Sequence, residues 1–307
     1  MPQFLKRILQ QETIAAIDLG SNALRAIIVR KTGGKLQVIK NFREPLRLGE
    51  DVFKDGVISW KKMIRTEEAF IKLFHIFAAH NVSDVRAMAT SAMRDSKNGK
   101  VLAKSIFDAT GIKIQTIDGH QEAQLIFNAV KNRVDLTKKT AVIMDVGGGS
   151  TELIVVRDGE LIGIQSFSIG TVRLLGYASQ EELEKKISAE IKDMLRFIKS
   201  LLPKKPDLFI GTGGNLRRIG KIRRKILGRE SAEVAMFDEI HHMEQAILSM
   251  SYVDRIRSLE LDQNRADVIL PAIMLTHHLM EKLKVNKIHL PKVGLKEGII
   301  LSMVDPV

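Results

Sequence analysis

Cysteine is absent from the whole 307-residue sequence. That excludes a disulfide framework and thiolate zinc sites, and it suits a reducing cytoplasm. Aromatic side chains are scarce, at 5% with one Trp and two Tyr. Proteins that hold single-stranded nucleic acid stack bases on such rings, so this composition argues against nucleic acid as a partner. No uninterrupted apolar run approaches the roughly 20 residues that a bilayer-spanning helix needs. The opening MPQFLKRILQQET holds only a short, broken apolar stretch, so no secretory signal is expected. No segment is of low complexity. The expectation is a cytoplasmic protein without a membrane partner.

What is abundant is positive charge. The formal net charge is +12 and the calculated pI about 9.8, a balance that favours polyanionic partners. With bases made unattractive by the lack of rings, phosphate without bases fits best. The length allows two domains with their own cores, and 45% hydrophobic with 27% charged residues lies in the globular range.

The segments 13–18, 24–30 and 35–41 read as strands, with LGSNA and a Thr-Gly-Gly turn between them. A helix over 59–79 follows, with Met63, Phe70, Leu73, Phe74 and Phe77 on its apolar stripe. A strand at 85–89, a loop and helix, and a strand at 113–117 come next. Asp118 then opens a helix as N-cap, with Gln121 three residues on as in a capping box. The later pattern is helix 179–202, strand 207–211, helix 215–227, helix 271–285, strand 287–290 and a closing helix over 295–303. This alternation predicts an α/β protein. The boundary between halves is placed near residue 131, giving domains 1–131 and 132–307, with the last helix able to pack back on the first.

The halves begin alike. AAIDLGSNALRAIIV and VIMDVGGGSTELIVV both read strand, Asp, apolar residue, glycine-bearing turn, strand. Asp18 aligns with Asp145, Gly20 with Gly147 and Arg25 with Glu152, which points to duplicated domains. Glycine is costly to order, so three in a row at Gly147, Gly148 and Gly149 call for a reason. One reason is a plain hairpin turn. The other is a nest of backbone N–H groups around an anion, with Ser150 and Thr151 adding donors and Asp145 placed to hold Mg²⁺ beside a phosphate. A third glycine loop, at Gly211, Thr212, Gly213 and Gly214, favours the phosphate reading. Neither a GxxxxGK[ST] loop nor a GxGxxG opening a helix is present.

Seven segments in order carry a resemblance: IDLGSNALR (17–25), ATSAMRDSKN (89–98), DGHQEAQLIF (118–127), IMDVGGGSTEL (143–153), FSIGTVRL (167–174), IGTGGN (210–215) and VGLKEGI (293–299). The chain resembles the exopolyphosphatase/guanosine pentaphosphate phosphohydrolase family of the actin-like ATPase superfamily. The resemblance implies two duplicated ribonuclease-H-like domains with mixed sheets flanked by helices, and an active site in the interdomain cleft. It implies Mg²⁺-dependent (Mn²⁺ in its place) hydrolysis of a terminal phosphoanhydride in polyphosphate or guanosine pentaphosphate, and a homodimer.

Carried over residue by residue, the resemblance makes Glu122 the carboxylate that activates water, a role a positioned acid can fill. It puts Gly20, Ser21, Asn22 and Arg25 in the first phosphate loop, and Thr90, Ser91 and Arg94 in a further phosphate-facing segment. Gly147–Thr151 and Gly211–Gly214 complete the binding set. Asp145 is the expected metal anchor, with Glu152 and Asp18 as further carboxylates. Two departures stand out: Gln121 where the family carries a second glutamate, and Ala23 where it often has serine. An actin-like kinase or ATPase, and a polyphosphate or alarmone sensor without turnover, are the alternatives. Some longer relatives carry a C-terminal His-Asp metal domain, for which no room is expected after VGLKEGIILSMV.

Two further features call for placement. RRIGKIRRK (217–225) puts six cations in nine residues, either a solvated helix face or a guide for a long polyanion. The pairs His241–His242 and His277–His278 are not expected to bind metal, because adjacent helical residues diverge by about 100° and one pair cannot grip an ion as i, i+4 histidines do.

Overall fold

The computed structural model describes residues 12–304. The opening segment read for a signal lies almost wholly outside them. Within the described residues the chain forms two compact units, residues up to Asp118 together with Leu295 onward, and Gly119–Gly294. No described helix is long and apolar enough to cross a membrane.

The first unit opens with a meander of β1 (Glu12–Leu19), β2 (Ala23–Thr32) and β3 (Lys35–Pro45). Helices α1 (Leu48–Asp55) and α2 (Trp60–Ala79) lead to β4 (Asp84–Ala89). Short α3 (Ser91–Asp95), α4 (Gly99–Thr110) and β5 (Ile114–Thr116) follow. The sheet order is β3-β2-β1-β4-β5, antiparallel across the meander and parallel from β1 to β4 and β5. β1 is buried from Ile14 to Leu19, as a central strand covered on both faces must be. Ala15, Ile17 and Leu19 share a core with Phe70, Leu73 and Phe77 of α2 and Leu102 and Ile106 of α4. Phe74, expected on that stripe, is exposed instead; its neighbour Leu73 takes the core-facing position, and Phe74 lies about 100° further round the helix. The closing helix α12 (Leu295–Val304) lies against β1 and β2.

The second unit repeats the plan. Helix α5 (Gly119–Lys131) precedes β6 (Thr140–Val146), β7 (Thr151–Arg157) and β8 (Glu160–Phe167). Then come α6 (Gln180–Leu201), β9 (Leu208–Thr212), α7 (Gly213–Leu227), β10 (Val234–Met236), α8 (Phe237–Leu248), α9 (Tyr252–Leu259), α10 (Gln263–Ala266), α11 (Ile269–Leu283) and β11 (Lys287–His289). The order β8-β7-β6-β9 matches β3-β2-β1-β4, with β11 and β10 added beyond β9. The repetition extends to irregularities. The bulge between Ile28 and Val29 recurs between Val155 and Val156, at the positions the Asp18–Asp145 alignment makes equivalent. Helix α5 packs on β6, β7 and β8, so residues 119–131 are folded with the second sheet. The chain divides at residue 118 rather than near 131, because that apolar helix face is covered by the strands that follow it.

Candidate active site

The paired hairpins set the chemistry. In the first, Asp18 stands opposite Arg25; in the second, Asp145 stands opposite Glu152. Each turn closes in the same way, with the Gly20 N–H donating to the Ala23 carbonyl at 3.2 Å and the Gly147 N–H to Ser150 at 3.0 Å. These two glycine N–H groups are therefore spent inside their own turns. This corrects the reading that counted the Gly147 N–H among the donors for an anion.

The next two glycines are set differently. Thr171 N–H donates to the Gly147 carbonyl, Val172 and Arg173 N–H donate to Gly148, and Arg173 Nε donates to Gly149 at 3.0 Å. Thr171 is itself held by Asn215 Nδ2 at 2.8 Å, and the Thr151 hydroxyl reaches the Ile169 carbonyl at 2.6 Å. In a trans peptide the N–H points opposite to the C=O. With three consecutive carbonyls fixed toward residues 171–173, the N–H groups of Gly148, Gly149 and Ser150 are turned the other way. Among the described residues Gly148 and Gly149 N–H meet no acceptor. The close approach explains a glycine that composition alone leaves unassigned: a Cβ at Gly170 would lie 2.4 Å from Gly149 N and 2.5 Å from Gly148 O. Gly170, Thr171 and Arg173 are thus the framework of the loop. The sequence marks them only through the segment FSIGTVRL.

Beside this loop three acids converge. Glu122, Asp145 and Glu152 are all buried, and each offers an oxygen within 4.8 Å of the others. Glu122 lies in the first turn of α5, whose positive end favours a carboxylate. Gly119 permits that placement, since a Cβ there would meet Ser166 Cβ at 2.4 Å and approach Glu152 Oε1 at 3.6 Å. Ser166 Oγ donates to Glu152 Oε1 at 2.8 Å and Thr212 Oγ1 to Asp145 Oδ1 at 2.5 Å. Gly213, left-handed at φ +88°, passes so close that a Cβ would be 3.1 Å from Asp145 Oδ1. Three carboxylates packed this closely repel one another. An all-oxygen donor set of this kind fits a hard divalent cation such as Mg²⁺.

The first unit gathers its own set. The Ser21 and Ser91 hydroxyls meet at 2.8 Å, and Ser21 Oγ also accepts from Ala92 N–H. Residues 70 apart in sequence are thereby joined, with Asn22 and Thr90 buried next to them. Arg25 donates to Asp18 at 3.1 Å. Burial pushes the Asp18 carboxyl above the ordinary carboxylate range, against the opposing pull of Arg25 and then Lys296. Lys296 of α12 also reaches Asn41 at 2.9 Å and Glu297, so this helix brings a cation that the sequence reading did not assign. Arg94 is half-buried, with Nη1 on the Ile117 carbonyl at 3.0 Å.

The basic stretch on α7 separates into two classes. Arg223 is buried and bidentate to Glu239 at 2.6 and 2.9 Å. It therefore belongs to the fold and not to an open cationic face. Arg218, Lys221, Arg224, Lys225 and Arg229 line a solvent-open cavity of about 550 Å³ in which Glu260 is the single acid. Partial burial, then Arg218, Arg265 and Arg217, hold the Lys221 ammonium below the usual lysine range.

Comparison with known proteins places the chain in a family. The model of the Ppx/GppA phosphatase family matches residues 27–306. A guanosine-5'-triphosphate,3'-diphosphate pyrophosphatase of Aliivibrio fischeri is 24% identical over 297 residues, which is 95% of this chain and 59% of that protein. The chain thus spans about three-fifths of the length of such curated relatives. The crystal structure of an exopolyphosphatase from Cytophaga hutchinsonii is 25% identical with a TM-score of 0.90, covering 96% of this chain and 99% of that one. A Ppx/GppA family member from Aquifex aeolicus shares the fold at 23% identity and TM-score 0.79, covering 96% and 98%.

Proposed function

We propose that this chain, which belongs to the Ppx/GppA phosphatase family, hydrolyses the terminal phosphoanhydride of inorganic polyphosphate, with guanosine pentaphosphate as a second substrate in the same site. The observation that carries the reading is the buried trio Glu122, Asp145 and Glu152 beside a glycine loop whose carbonyls are tied back. Asp145 and Glu152 hold the cation, Mg²⁺ or Mn²⁺, which when bound neutralises charge on the phosphoryl group. Gly148, Gly149 and Ser150 N–H groups take phosphate oxygens. Glu122 orients the attacking water and accepts its proton. Phosphoryl transfer asks chiefly for such positioning and charge neutralisation.

Thr151 and Thr212 act one step removed, through Ile169 and Asp145. Gly213 lets the start of α7 lie beside that aspartate, and Gly211 and Gly214 belong to the same loop. Ser21, Asn22, Thr90, Ser91 and Arg94 take further phosphates, with Gly20 closing the turn. Asp18 is assigned to holding Arg25 rather than to the metal, since the Arg25 guanidinium meets its carboxylate at 3.1 Å. The cation-lined cavity on α7 favours the polymer over the nucleotide. The protein acts in the cytoplasm, and a homodimer is proposed from the family alone.

The test is orthophosphate release measured side by side on polyphosphates of several lengths, guanosine pentaphosphate and ATP, with and without Mg²⁺. Mg²⁺-dependent release from polyphosphate and pentaphosphate, with little from ATP, is expected. Tight binding of either without release would favour a sensor.

A further inference from the structure

The two histidine pairs come together. Helices α8 and α11 pack side by side in the second unit, with Ile240, Met243 and Ile247 of one and Ile273 and Met280 of the other in a shared core. On the margin of that contact Glu244 projects from α8 toward His277 and His278 of α11. One atom of each lies within 4.8 Å of the others. His277 Nδ1 is 2.5 Å from Glu244 Oε2, and His278 Nε2 is 4.0 Å from Glu244 Oε1. The expectation that a consecutive pair cannot share an ion considered each pair alone. The two rings do diverge, at 64° with centroids 5.7 Å apart, but the facing helix supplies a carboxylate between them.

Two observations mark this as more than a chance cluster. Glu244 is 4% exposed, and its Oε2 and His277 Nδ1, which face each other at 2.5 Å, have no other hydrogen-bond partner among the described residues. A buried carboxylate left this way is costly unless a cation meets it. In addition, His277 turns its other nitrogen, Nε2, to His241 Nδ1 at 3.2 Å, and its ring stacks on Phe237 at 5.0 Å. A metal-bound imidazole commonly has its second nitrogen anchored in this way, which fixes tautomer and orientation. His241 and Glu244, three residues apart on α8, share one helix face.

We propose that Glu244, His277 and His278 form a site for a borderline transition-metal cation, Zn²⁺ foremost, with His241 orienting His277 from behind. Imidazole nitrogens select zinc-like ions over Mg²⁺. Ligand separations of about 3.3 Å, as tetrahedral zinc at about 2.0–2.1 Å requires, fall between the 2.5 and 4.0 Å seen here. With three protein donors and both histidines partly exposed, a fourth position is left for solvent. The site clips α8 to α11 and is chemically distinct from the all-carboxylate set at Asp145, so one chain sorts two cations by donor type. This inference does not depend on the proposed hydrolysis.

Zinc titration of EDTA-treated full-length protein against a chromophoric chelator, in excess Mg²⁺ to occupy the carboxylate site, reads the site directly. One equivalent should bind. His278→Ala and Glu244→Gln should each weaken it at least tenfold, His241→Ala by about tenfold, and the exposed His242→Ala not at all. Zinc should raise the melting temperature of the wild type and leave that of His278→Ala unchanged. His278 is the most exposed of the three, so its variant tests the site even if Glu244→Gln does not fold. A wild type that takes up no zinc, as a simple Glu–His ion pair would, overturns the proposal. So does equal affinity in His278→Ala.

Discussion

At the scale of single residues, buried charge is either functional or paired. Glu239 is the paired case. Burial alone would raise its carboxyl, but hydrogen bonds from Arg223 and the Met236 N–H, and the Arg223 charge, hold it below the ordinary glutamate value of 4.5. A depressed carboxyl in the folded state contributes stability that is present above the unfolded value and is lost as pH falls through the folded one. Glu239→Gln should therefore destabilise the protein by about 3 kcal/mol at neutral pH, the usual cost of leaving one partner of a buried pair alone. In urea unfolding across a pH series, the gap from wild type should stay constant down to about pH 4.5 and shrink below it. A gap independent of pH would mean that the pair is not what Glu239 contributes. Glu122, Asp145 and Glu152 are the proposed functional case, three buried acids that each bring an oxygen within 4.8 Å of the others.

At the scale of elements, the sequence was most legible where punctuation and periodicity coincide. Gly20 and Gly147 flanked by apolar runs announced both hairpins, and the structure pairs Asp18 with Arg25 and Asp145 with Glu152 in the same register. Several elements were missed. β8 carries mostly half-buried side chains, β10 has three residues, and α1 and α9 are short helices with few buried positions. The charge run on α7 was legible as a run, but not its division, because the burial of Arg223 depends on Glu239, 16 residues away on another helix. That division sharpens a test of the cationic cavity. Replacing Arg218, Lys221 and Arg224 with glutamine should raise KM for long-chain polyphosphate several-fold while leaving the shortest substrate unaffected. Steady-state kinetics across chain lengths decides it, and an equal change at every length would make α7 a solvated face only.

At the scale of the whole chain, duplication is the organising fact. Two sheets share a four-strand core, a bulge and a turn, yet their hairpins hold different charges: a carboxylate–guanidinium pair in one and two carboxylates in the other. The sequence alignment already contained that asymmetry as Arg25 against Glu152. What it did not contain was which helix serves which sheet. Helix α5 follows the first unit in sequence but folds on the second, and α12 returns from the far end to cover β1 and β2. Contacts made across such distances leave no local trace, which is also why the meeting of His241, Glu244, His277 and His278 was invisible. The most direct measurement of the central claim compares wild type with Glu122→Gln for Mg²⁺-dependent phosphate release and for polyphosphate binding. The account predicts a fall in turnover of about 10²–10⁴-fold, the usual contribution of a general base, with binding retained. Near-normal turnover in Glu122→Gln would contradict it.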